Sequence, residues 1–109
     1  MSDALYAGIV ADFKQTIDRF GRNYLFAPRS GIGVSTVRGF VRGIRPNELI
    51  GGFEQTDQVV TAGSEGFPHM PRKFDRMEIN SRPYTVMHAN ALMAGDTLMG
   101  YKIFVRGGV

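Results

Sequence analysis

Lys73-Phe74-Asp75-Arg76-Met77-Glu78-Ile79, Asn80-Ser81-Arg82-Pro83 and Tyr84-Thr85-Val86-Met87-His88-Ala89 follow one another without interruption, and their reading decides the fold. Met77 and Ile79 alternate with Arg76 and Glu78, and Val86 stands against Thr85. That is the two-residue period of a sheet with one buried and one solvated face. Asn80-Ser81 supplies turn residues, and Pro83 falls at a strand start, where its missing N–H removes no ladder bond the strand needs. After a second break at Gly95-Asp96, the run Leu98-Met99-Gly100-Tyr101-Lys102-Ile103-Phe104-Val105-Arg106 predicts another strand. Residues 74–107 are therefore expected to form three antiparallel strands joined by turns, with His88 ending one of them. The rest of the chain must cover the dry face of this sheet or extend it.

Upstream, Ser2 or Asp3 can cap a helix, and Leu5, Ile9, Phe13 and Ile17 then recur every four residues, with Tyr6, Val10 and Phe20 alongside. Asp12, Lys14, Gln15, Asp18 and Arg19 lie mostly on the other face. The pattern predicts an amphipathic helix of about four turns over residues 1–21, with Gly21 as its breaker. Its apolar face covers the sheet or meets another subunit, and periodicity favours the first. Residues 22–26 read as a short strand stopped by Ala27-Pro28. Residues 34–44 read as a longer one, with Val37 and Val41 apolar, Arg38 and Arg42 interleaved, and Gly39 and Gly43 permitting a bulge or bend. Arg45-Pro46-Asn47 breaks it, Glu48-Leu49-Ile50 forms a turn, and residues 58–62 are a further candidate strand. Residues 63–72, with Gly63, Gly66, Pro68 and Pro71, read as a loop long enough to need a reason. Phe67 and Met70 are its apolar residues, and they either tuck onto the core or dock on something outside the subunit.

These elements amount to one helix and five or six short strands. The expected fold is mainly β, of the α+β kind: a small antiparallel barrel or sandwich with an N-terminal α-helix packed against it and one long loop. It fills a single domain, with the helix in residues 1–21, the β-structure in 22–109 and the loop at about 51–72. A chain of 109 residues suffices for one core. Hydrophobic residues make up 43% and charged ones 21%, which is the balance of a globular chain rather than a disordered one. Cysteine is absent, so disulfides and thiolate metal sites are excluded. No apolar run reaches membrane-spanning length and the N-terminus lacks the basic start of a secretory signal, so a soluble protein made in cytoplasm is expected, with no membrane partner. A net charge of +3 and a pI near 9.6 lean toward anionic partners.

Little in the chain points to catalysis. His69 and His88 sit in different elements and form no ligand pair at helical spacing, so no metal site is expected. Ser30-Gly31-Ile32-Gly33-Val34-Ser35-Thr36 has glycines like a phosphate loop but lacks the third glycine and the lysine, and it leads into a strand rather than a helix. No Gly-x-Ser-x-Gly elbow is present. Asp57, Asp75 and Asp96 stand where local turn hydrogen bonding accounts for them. A non-enzymatic protein without cofactor is the expectation.

The arginines carry more information. Arg19, Arg22, Arg29, Arg38, Arg42 and Arg45 occur with no acidic residue among them, and Arg38 and Arg42 share one face of their strand. Such a face can pair with carboxylates of a neighbouring subunit, track phosphates, or simply be solvated. Acidic residues for subunit pairing exist at Asp3, Asp12, Glu48, Glu54, Asp57 and Glu65. Arg38, Arg42, Arg45, Glu48 and Leu49 are the candidate interface residues. Tyr24, Phe26 and Phe40 serve either as core or as stacking platforms.

The order of helix, Val37-Arg38-Gly39-Phe40-Val41-Arg42-Gly43, Glu48-Leu49-Ile50, long loop, Lys73–Ile79 strand, Tyr84-Thr85-Val86 and terminal Tyr101-Lys102-Ile103-Phe104-Val105-Arg106-Gly107-Gly108 resembles the small head–tail joining proteins of tailed bacteriophages. These are the head-closure, or stopper, class and its tail-completion relatives. The resemblance spans nearly the whole chain through short motifs. It implies a structural virion protein of the neck, assembled in the host cytoplasm, whose copies form a hexameric or dodecameric ring. Its partners would be a portal or adaptor protein, a tail-tube or tail-terminator protein, and the DNA passing through the channel. The loop at 51–72 would then converge with its copies to hold DNA in, with Gly63, Glu65, Phe67, Pro68 and Met70 as lumen or gate residues. The alternative is a small nucleic-acid-binding β-barrel.

Overall fold

The computed structural model describes residues 3–29, 31, 33–43 and 57–107, with the backbone alone for 3–6. Helix α1 spans Asp3–Phe20, and strands β1 (Arg22–Ala27), β2 (Ser35–Gly43), β3 (Gln58–Gly63), β4 (Arg76–Ile79), β5 (Arg82–Ala94) and β6 (Thr97–Gly107) follow. The strands close in the order β1-β2-β3-β6-β5-β4, every pairing antiparallel. The fold is thus mainly β with an N-terminal helix, and the β-layer is a barrel rather than a sandwich.

Alternation builds the core. Tyr24 and Phe26, Val37, Val60 and Ala62, Met77 and Ile79, Val86, and Tyr101, Ile103 and Val105 point inward together. Closing the sheet turns these apolar faces toward one another. Gly39 and Gly100 flank Ala62 from either side. A Cβ on Gly39 would lie 2.3 Å from the Thr61 carbonyl oxygen, so only glycine permits the close approach of β2 to β3 there.

The hairpin turns follow from their residues. Asn80 and Ser81 both have positive φ, the two-residue mirror-image turn that matches strand twist. Gly95, with φ 60°, opens the β5–β6 turn.

Several expectations need correcting. β3 crosses the interval 51–72, so the described loop runs from 64 to 75. The strand expected to begin near Phe74 begins at Arg76, because Phe74 lies in a turn with φ 77°. His88 does not end a strand: β5 continues to Ala94. The pairing Val86↔Val105 gives way to His88↔Phe104, so Met87 is an extra residue that reverses the facing pattern. Before it the even-numbered residues Tyr84 and Val86 face the core, and after it Ala89 does. Thr85, expected on a wet face, is buried. Val59 and Phe104 are also buried although they point away from the barrel interior, so burial is two-sided where β3 pairs with β6.

Candidate interaction surfaces

Helix α1 touches the barrel with only part of its apolar stripe. Ile17 is 4% exposed and Val10 and Phe13 are half-buried, while Ile9 and Phe20 remain exposed, Phe20 at 65%. Its C-terminus is fastened. Arg38 Nε donates to the Ile17 carbonyl at 3.0 Å, Nη2 to the Asp18 carbonyl at 3.0 Å, and Nη1 to Asn23 Oδ1 at 3.0 Å. The Gly21 amide also donates to the Ile17 carbonyl, at 2.9 Å. A cation on the last turn satisfies carbonyls the helix cannot and suits its negative end. Arg38, expected at a subunit interface or on phosphates, is therefore engaged within its own chain.

The β5–β6 hairpin outruns the barrel. Its turn brings Leu98 and Met99 opposite Val10, Phe13 and Ile17 across a shallow, mainly apolar depression. Met93 and Leu98 stay exposed on this arm. On the rim, Lys14 Nζ lies 3.3 Å from Glu65 Oε1 with both side chains largely in water, a pair that contributes little.

The loop after β3 is tied down along its length. The Ser64 amide donates to the Met99 carbonyl at 3.1 Å. Phe67 stacks edge-on against Phe26 and Tyr101, with centroids 5.0 and 5.1 Å away. His69 meets Phe26 edge-on at 5.9 Å. Phe67 thus tucks onto the core, whereas Pro68 and Met70 are exposed. Asp75 anchors the far end: its buried carboxylate accepts from the Arg29 and Arg72 amides, each at 2.8 Å. Gly63 ends β3 rather than starting the loop. Of the expected gate residues, Glu65, Pro68 and Met70 are solvent-facing, and Phe67 is not.

Arg42 Nη1 donates to the Gly43 carbonyl at 3.0 Å. Arg45, Glu48 and Leu49 lie outside the described residues. Asp57, read as a turn residue or a pairing residue for another subunit, is buried and bound by Arg106. Among the described residues no three His, Asp or Glu side chains are grouped to hold a metal ion, and no helix is long and apolar enough to cross a membrane.

Two features had no sequence signal. The Asp57–Arg106 pair joins residues that only the β3–β6 register brings together. Phe74 sits at positive φ with a half-exposed ring between Arg29 and Lys73.

No protein-family model matches the chain, and neither a curated protein nor a solved structure shows significant similarity to it.

Proposed function

We propose that this chain is a structural subunit of a tailed-bacteriophage neck, where copies of it form a ring that joins the portal side of the head to the tail and helps retain packaged DNA. Two lines of support meet: the sequence resemblance, and a placement of apolar surface that suits head-to-tail assembly.

The second carries the reading. Among the described residues, the large exposed apolar side chains lie on two sets of elements. Ile9, Phe20, Met93 and Leu98 belong to α1 and the β5–β6 arm. Leu25, Val34, Met70 and Phe74 belong to β1, the approach to β2 and the loop before β4. A ring needs two different surfaces on each subunit that complement one another, because its contacts are heterologous. Contiguous exposed apolar surface is the usual mark of a contact surface. In this arrangement the helix and arm of one copy seat on the β1 side of the next. The portal or adaptor protein and the tail-tube or terminator protein take the two rims.

Rotational classification of electron-microscope images tests the proposal, using the purified chain and the chain bound to a portal ring. Cyclic classes are expected in at least the second sample, and solitary subunits in both overturn the reading. Blocking variants then test the geometry. Leu98→Asp and Val34→Asp each remove one of the two surfaces, and both sites are exposed, so folding is retained. Each variant alone should fail to assemble, while their mixture should give dimers that grow no further. Assembly of either variant alone into full rings removes the two-surface arrangement.

A small nucleic-acid-binding barrel is the second reading. It draws support from the cations gathered around Phe74, and not from Arg38.

A further inference from the structure

Residues 72–75 form a tight turn closed by the Asp75 amide on the Arg72 carbonyl at 3.0 Å. Phe74, its third residue, has φ 77°, and Lys73 before it is not in the left-handed region. That is the type II arrangement, whose third position suits glycine because any Cβ there crowds the backbone. A phenylalanine at such a φ is an outlier for a bulky residue, and backbone outliers of this kind cluster at functional sites.

Burial does not account for the side chain, since Phe74 is 48% exposed. What surrounds it is positive charge. The Arg29 guanidinium lies 5.4 Å and the Lys73 ammonium 5.2 Å from its centroid. Arg72 lies within the turn, and Arg76 starts the strand that follows, paired to Ala27 just before Pro28-Arg29. All four cationic residues are exposed, and among the described residues none is ion-paired. The nearest carboxylate, Asp75, is buried and accepts two backbone amides. Glu78 points outward two residues beyond Arg76. Arg29, His69, Arg72 and Lys73 line one depression whose floor includes Asp75.

We infer that Phe74 and the cations Arg29, Arg72, Lys73 and Arg76 form a binding site for single-stranded nucleic acid. The strand's phosphates pair with the cations, and the open part of the Phe74 ring takes a base. Aromatic side chains set among backbone-tracking cations are how sequence-tolerant single-strand sites are built. The glycine-preferring position holds phenylalanine because the ring is needed at the surface, where it also gathers Arg29 and Lys73 by cation–π attraction. The site does not use Arg38; Phe74 also belongs to the second exposed apolar group, so a base and a seated neighbour would compete for its ring.

The decisive variant is Phe74→Gly, since it relieves the backbone while deleting the ring. Its midpoint of thermal unfolding should equal or exceed that of the unaltered chain. Its affinity for fluorescein-labelled oligo(dT) at low salt should fall by about tenfold, the order of one lost base stack. Arg29→Glu with Lys73→Glu should weaken binding further. For the unaltered chain, the plot of log affinity against log salt should slope at about −3 if four phosphates are engaged, and less steeply in the double variant. Unchanged oligo(dT) binding by Phe74→Gly overturns the site. A lowered unfolding midpoint for that variant marks Phe74 as a packing residue and overturns it too. Poly-glutamate competing as well as oligo(dT), charge for charge, reassigns the surface to an acidic protein partner.

Discussion

Arg106 holds Asp57 through two parallel hydrogen bonds, Nε to Oδ1 at 2.8 Å and Nη2 to Oδ2 at 3.0 Å. The pair is asymmetric: the Asp57 side chain is fully buried, and that of Arg106 keeps 22% of its surface. Planar two-point pairing is the strong form of this interaction, and losing either partner leaves the other behind. Arg106→Met removes this two-point pairing from a buried carboxylate and should destabilise by about 3 kcal/mol. Asp57→Asn leaves an arginine that can turn to water, so its effect should be smaller, about 2 kcal/mol. Combining the two should recover part of the loss, because the residues are coupled. Urea unfolding of the four chains measures this. Equal and negligible effects would mean that Asp57 serves a neighbour instead.

Arg38 fixes where α1 sits. Its guanidinium meets the last carbonyls of the helix and reaches back to Asn23 at the start of β1. Arg38→Met keeps the aliphatic stem and removes these bonds. The expected cost is about 2 kcal/mol, given bonds that are partly exposed but made by a charged donor. Hydrogen exchange should show α1 amides losing protection while those of β3 and β6 keep theirs, since the helix opens as a local unit. A variant with helix protection intact but altered assembly would return Arg38 to the subunit interface.

How much of this was legible depends on the range over which each feature is set. The alternation of Met77 and Ile79 with Arg76 and Glu78 is local, and it placed β4 on the right face. The Asn80-Ser81 turn was legible for the same reason. The bulge at Met87 is a register event between β5 and β6, and it hid behind a sequence that still alternates. It also turned His88 from a strand end into a mid-strand residue. That Arg38 and Arg42 share a strand face was readable; that one of them reaches the helix terminus was not, because α1 docks by tertiary packing. Of the anticipated Ile9–Phe13–Ile17 stripe, Ile17 is buried, Phe13 is half-buried and Ile9 is exposed. Phe74 shows the limit most plainly. Nothing in Lys73-Phe74-Asp75 signals positive φ, a conformation that this turn position ordinarily gives to glycine.

Tyr24 gives the fold a dependence on high pH. Burial raises its phenol above the ordinary value of 10.0, against a smaller opposing pull from Arg22. The folded state therefore prefers the protonated ring. This contribution is complete below about pH 10, where the unfolded chain's tyrosine is also protonated. It is lost as pH rises from there through the raised folded-state value. Tyr24→Phe removes this titration. The stability difference between the two chains, followed by denaturant midpoints from pH 8 upward, should be flat at first and then move in favour of the phenylalanine chain. A constant difference across the alkaline range would show that the ionised ring is tolerated.

Phe67 and Gly66 decide whether the loop before β4 is a strap or a gate. Gly66 has φ 88°, and a Cβ there would stand 2.1 Å from the Thr36 carbonyl oxygen, so the chain can pass β2 only with glycine. That passage delivers Phe67 between Phe26 and Tyr101. Phe67→Ala should destabilise by about 3 kcal/mol, the low end for a large aromatic because the ring is only partly buried. Gly66→Ala should destabilise through strain and displace the same ring, so the double variant should cost less than the sum of the two. Denaturant midpoints give the energies, and limited proteolysis within residues 64–72 reports release of the strap. If Phe67→Ala leaves both readouts unchanged, the ring is not a fastening, and the loop is free to swing as a channel gate requires.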